Sequence, residues 1–176
     1  MKQLVIPAAL ALLIAACSST PDSKDAAAGA PVETRDGASS VATVTTGGVD
    51  GRGLPAVLTD PKSILSKRSV YFDYDSYEVK AEYKDLVTAH AKFLTENRKY
   101  KMLVQGNTDE RGSREYNLAL GQKRADAIRK MLSLLGVRED QIESVSLGEE
   151  KPKNEGHNDS AWAENRRGDM LYSGEF

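Results

Sequence analysis

The chain has 176 residues with a formal net charge of −2, room for one globular domain plus tails and no bulk basic field to attract nucleic acid. Its single cysteine, Cys17, excludes a disulfide within the chain. Two histidines and one cysteine make no zinc-ligand set, and no cofactor is implied.

In chain order, Lys2 precedes an apolar run from Leu4 to Ala16 that is interrupted by Pro7. This run falls short of the roughly 20 apolar residues a membrane helix needs, so residues 1–16 are expected to be an export signal. Leu13–Ile14–Ala15–Ala16–Cys17 resembles a bacterial lipobox, which implies cleavage before Cys17 and acylation of that residue. Each buried methylene adds about 0.8 kcal/mol of membrane affinity, so several acyl chains hold the protein on a membrane surface. Ser18 and Ser19 follow the cysteine in place of an inner-membrane retention aspartate, which favours the outer membrane. Residues 17–60 are rich in Ala, Gly, Ser, Thr, Pro and Asp and lack aromatics, so a disordered periplasmic linker is expected there. Such a segment has a root-mean-square span of roughly 35–40 Å and reaches on the order of 150 Å when extended.

All aromatic residues lie between Tyr71 and Phe176, which places the folded domain at residues 61–176. Ser69–Tyr74 is β-branched and aromatic, a strand. From Glu78 to Asn97 the apolar positions Val79, Tyr83, Leu86, Val87, Ala91 and Leu94 follow helical spacing. Met102–Gly106 reads as a buried strand and Arg114–Leu135 as a second amphipathic helix, capped by Ser113 and stopped by Gly136. Ile142–Leu147 alternates as a third strand, Lys151–Asn158 is a polar loop, a short helix begins at Ala161, and Asp169–Tyr172 is the last strand. This order, β-α-β-α-β-(short α)-β, predicts an α/β (α+β sandwich) domain: a mixed sheet with helices packed on one face.

Three polar segments sit at strand ends, where function collects: Tyr71–Ser76, Gly106–Gly112 and Asn165–Arg167. Each also has a plainer reading. Asp109 can serve the dipole of the following helix, Arg124 can be a solvated residue paired with Asp126 or Glu115, and Arg111 can be a solvated loop charge. His90 falls on an apolar helix side as a core residue, and His157 in a polar loop as a solvated one. Asp73, Asp75, Asp109 and Glu110 can supply the two carboxylates of a glycosidase. No apolar pocket that would make one of them a proton donor is evident in the sequence, and a binding protein is favoured over an enzyme.

Phe72–Asp73–Tyr74–Asp75, the turn Gly106–Asn107–Thr108–Asp109–Glu110–Arg111–Gly112, the continuation Glu115–Ala125 and Asn165–Arg166–Arg167 together resemble the peptidoglycan-associated lipoprotein family with its OmpA-like domain. The resemblance covers residues 66–172. Gly168–Asp169 departs from the family's apolar strand start and leaves the last strand boundary open. It implies non-covalent binding of peptidoglycan stem peptides at meso-diaminopimelate, tethering of the outer membrane through acyl chains on Cys17, and a place in the Tol–Pal system. TolB and other Tol or OmpA-like envelope proteins would be the partners. By the same resemblance Asp109 accepts from the ligand ammonium and Arg124 forks onto its carboxylate. Asp75 makes a polar contact, Tyr74 packs beside the peptide and Leu120 forms an apolar wall. Arg111 and Arg166 are further contacts, Arg167 alternates to the other side, and Asn117 braces the turn.

Overall fold

Four strands pair into one sheet in the computed structural model, which describes residue 51 and residues 53–176. The expected export signal, Cys17 and most of the expected linker lie outside the described residues. The strands are β1 (Ser69–Tyr71), β2 (Met102–Asn107), β3 (Ile142–Gly148) and β4 (Arg167–Tyr172), in the spatial order β1-β4-β2-β3. β4 runs antiparallel to both its neighbours, while β2 and β3 are parallel. A parallel pair needs a crossover, supplied here by a 21-residue helix that packs on both strands. The mixed sheet expected from the element order is therefore present, with the last strand threaded between the first two.

A four-residue helix, α1 (Ala56–Thr59), opens the fold, and Leu54 and Leu58 are buried in the core. The core thus starts ahead of residue 61. These two leucines, four apart in a polar stretch, reach apolar partners that composition averaged over 17–60 conceals. α2 (Lys84–Glu96) buries Leu86, Val87, Ala91 and Leu94. It begins six residues later than the apolar spacing predicts, after a 3-10 turn at Ala81–Tyr83. The preceding loop is held open by tertiary bonds, since the Asp73 and Ser76 carbonyls accept from a distant arginine.

α3 (Arg114–Leu134) starts at Ser113, whose Oγ accepts from the Tyr116 amide at 3.2 Å. It ends at Gly136 with φ +94°, where the Val137 amide returns to the Leu132 carbonyl. β2 and α3 touch through glycines. A Cβ on Gly106 would lie 1.8 Å from the Gly121 carbonyl oxygen, so only glycine lets this helix lie so close to this strand. That contact sets Arg124, three residues after Gly121, beside the chain leaving β2.

β1 is shorter than expected, its ladder ending at Tyr71; the Phe72 amide then donates to the Arg166 carbonyl. β4 begins at Arg167 rather than Asp169, with Gly168 opposite Val70 and Gly106. Glycine is a poor strand signal, but a Cβ there would come within 2.4 Å of Ile128 Cδ1. α4 (Asp159–Asn165) is capped by the Asn158 side chain. No helix of the described residues is long and apolar enough to cross a membrane.

His90 is fully buried in this core. Its Nε2–H donates to the Lys67 carbonyl at 2.9 Å, so Nδ1 accepts from the Tyr172 hydroxyl at 2.8 Å and the ring is neutral. Burial is the main cause that lowers its pKa to about 4, helped by Arg68 and opposed by the Lys67 carbonyl. Between the ordinary histidine value near 6.5 and that lowered value, the unfolded chain binds a proton that the folded chain refuses. Stability should therefore fall by about 3 kcal/mol on acidification across that window and gain no further loss from this group below it. Urea midpoints between pH 7.5 and 4 check this, and His90→Gln should flatten the slope.

Candidate functional site

A cavity of about 150 Å³ opens at the β1 and β2 ends where the three polar segments meet. The loop after β1 contributes Tyr74 and Asp75, and the turn after β2 contributes Thr108, Asp109, Arg111 and Gly112. One stripe of α3 supplies Tyr116, Asn117, Leu120 and Arg124, and Arg166 arrives just before β4. All seven binding residues named from the sequence line this one space.

Asp109 is only 4% exposed. Its Oδ1 accepts from the Arg111 amide at 3.1 Å, and its Oδ2 from Arg111 Nη2 at 2.7 Å and Arg166 Nη1 at 3.2 Å. Burial by itself opposes ionisation and is the largest influence, but the two arginines together outweigh it and hold this carboxyl below its ordinary value. Asp109 is thus a fixed anion rather than a proton donor.

Arg124 is completely buried. Its Nε donates to the Ser76 carbonyl at 2.8 Å, Nη1 to Asn107 at 2.9 Å and Nη2 to Asp73 at 3.1 Å. The plainer reading, a solvated partner of Asp126 or Glu115, is overturned: Asp126 accepts instead from Gln122 and Ser144. Three of the five guanidinium N–H donors are committed to the fold, leaving two. Burial pushes its pKa down to about 10, opposed chiefly by Asp109, so the charge persists at neutral pH.

Asp75 has the single positive φ of a non-glycine residue among the described residues, +53°, and its carboxylate accepts from the Tyr116 hydroxyl across the mouth. Arg166 Nε donates to the Phe72 carbonyl, while Arg167 turns away to Asp169 and Lys151. Asn117 is expected to brace the turn after β2, but its side chain donates instead to Glu149, just beyond β3, and it lines the cavity. His157, expected to be merely solvated, lies 2.7 Å from a Glu110 oxygen. Two aspartates and three arginines line the cavity, a formal excess of one positive charge. Such a lining accepts a zwitterion, or a ligand carrying one more carboxylate than ammonium.

The OmpA family matches residues 71–166, which include the first two polar segments, α3 and all of the third segment except Arg167. The chain belongs to the OmpA family. A peptidoglycan-associated lipoprotein of Pseudomonas putida is 40% identical over 159 residues, 90% of each chain. The protein of that name from Pasteurella multocida is 49% identical over 104 residues, 59% of this chain and 69% of its own. The crystal structure of the peptidoglycan-associated lipoprotein from Burkholderia pseudomallei superposes with a TM-score of 0.65 at 58% identity, covering 66% of this chain and 98% of that one. The C-terminal domain of Helicobacter pylori MotB shares the fold, at a TM-score of 0.57 and 20% identity.

In this OmpA-family chain, the sequence reading omits Thr108, Gly112, Tyr116 and Asn117 from the cavity wall and Trp162 from its surroundings. Tyr116 was within reach of the spacing argument, since 116, 120 and 124 fall four apart on one helix face. Trp162 was not: it stacks on Arg111 from a helix 51 positions further along the sequence.

Proposed function

We propose that this chain binds peptidoglycan non-covalently, gripping meso-diaminopimelate of the stem peptide. Acyl chains on Cys17 hold its other end in the outer membrane, with the folded domain in the periplasm. The observation that carries this reading is the convergence of buried Asp109 with Arg111, Arg124 and Arg166 in one cavity. Diaminopimelate ends in an ammonium beside a carboxylate, so its receptor needs an acid and a base a few ångströms apart. The remaining lone pairs of Asp109, with Asp75 nearby, suit the ammonium. The two uncommitted N–H groups of Arg124, and Arg166, suit the carboxylate.

Family membership supports the wider role: TolB docks on the same rim, and the protein serves envelope integrity and outer-membrane constriction at cell division within the Tol–Pal system. A hydrolase reading gains nothing from the site. Asp109 is held ionised, and the Glu110 carboxyl is also lowered, first by the Trp162 N–H and then by His157, so neither is poised to donate a proton.

The test is retention of the full chain on purified sacculi, challenged with soluble stem tripeptides. The meso-diaminopimelate peptide should release it at a concentration at least about tenfold lower than the lysine analogue, which lacks the second carboxylate. Equal release by both would overturn the proposal.

A further inference from the structure

Arg111 lies between two aromatic rings at the mouth of the cavity. Its guanidinium carbon is 4.3 Å from the centre of the Tyr74 ring and 4.1 Å from that of Trp162. The stack is fixed from below, because Arg111 Nη2 donates to Asp109 Oδ2 at 2.7 Å. Trp162 is held a second time: its Nε1–H donates to Glu110 Oε1 at 2.8 Å, and the same carboxylate meets His157. The assembly nevertheless faces water, with Tyr74 63% exposed and the Glu110 and His157 side chains 45% and 79% exposed.

Asp109 alone would orient Arg111. Two aromatic rings stacked on it add little to the core, yet they form a platform rimmed by an acceptor and an imidazole. That combination matches a pyranose ring, whose C–H face packs on aromatic surface while its hydroxyl and acetamido groups hydrogen-bond at the edge.

Resting on the peptide-binding reading above, the geometry points to the Tyr74–Arg111–Trp162 stack, with Glu110 and His157, as a subsite for the N-acetylated sugar that carries the stem peptide. Two residues and the sugar's own linker separate the pyranose from the third residue's backbone, an extended reach of about 10 Å or more that a bent stem shortens. Arg111 joins the two places: its Nη2 donates to Asp109 at 2.7 Å and its guanidinium carbon lies 4.1 Å from the Trp162 ring centre. The cavity takes the peptide's charged end, and the stack takes the glycan.

Calorimetry on the full chain with two ligands tests this: the diaminopimelate tripeptide capped with an acetyl group, and the same tripeptide on N-acetylmuramic acid. The muramyl form should bind about threefold to tenfold more tightly. In Trp162→Ala that ratio should fall to one, whatever happens to the affinity for the peptide itself, and Trp162→Phe should keep part of it. Equal affinities in the unaltered protein, or a ratio unmoved by Trp162→Ala, would overturn the subsite alone. Binding of neither ligand would overturn the peptide reading and the subsite with it.

Discussion

Arg124→Ala should lower the thermal midpoint by about 10–20 °C, a stability loss of about 3–5 kcal/mol. The guanidinium ties α3 to two segments that are distant in sequence, by donating to the carbonyls of Asp73 and Ser76 in the loop after β1 and of Asn107 at the end of β2. Alanine leaves the buried Asn107 carbonyl and the half-buried Asp73 and Ser76 carbonyls without their donor and opens a void where the largest fully buried side chain among the described residues stood. Arg124→Lys should recover only part of the loss, because one ammonium cannot span three carbonyls set around a planar fork. Thermal unfolding followed by circular dichroism decides the matter. A midpoint within a few degrees of the unaltered protein would show that the loop after β1 is held by something else. The same substitution would abolish ligand binding by dismantling the cavity, so binding loss in Arg124 variants says little about direct contact.

Asp109→Asn is the cleaner probe of recognition and should weaken binding of the diaminopimelate peptide by at least about a hundredfold, about 2.7 kcal/mol. Asparagine keeps the shape of the side chain but removes the charge that answers the ligand ammonium, and leaves Arg111 and Arg166 without their shared anion. Asp73→Asn is the matched control. Its side chain is 72% exposed and pairs only with Lys80 across the loop, so affinity should change by less than about twofold. The pH profile follows from the same geometry. Because the folded-state pKa of Asp109 is depressed, its contribution is complete above the ordinary carboxylate value and is lost only as pH falls through the lowered one. Binding should hold from neutrality down through the usual carboxylate range and then fail. Isothermal titration at stepped pH, with full binding by Asp109→Asn at neutral pH as the contrary outcome, tests both statements.

Much of this arrangement was legible in the residues. The helical spacing around Leu86–Leu94 and along α3 stands, as do the Ser113 cap and the Gly136 stop, because each depends on neighbours within a few positions. The three polar segments could be assigned to strand ends for the same reason. What failed was decided by contacts across the chain. The start of β4 was hidden because Gly168 has no strand preference of its own and is required by Ile128. α2 begins late because residues 81–83 take up a 3-10 turn ahead of it. Leu54 and Leu58 joined the core from a stretch whose average composition argued against it.

The candidate site divides in the same way. Local pattern determined which charges exist and which loops carry them: an acid in the turn after β2, a basic residue three turns along the helix that follows, a double arginine before the last strand. Only the tertiary structure decided how they are used. It spent most of Arg124 on three carbonyls, gave Asp109 to Arg111 and Arg166, and seated Trp162 on Arg111. The reason is physical: backbone periodicity and capping are set over one or two turns, whereas a buried charge takes whichever partners the packed sheet and helices place within hydrogen-bond reach.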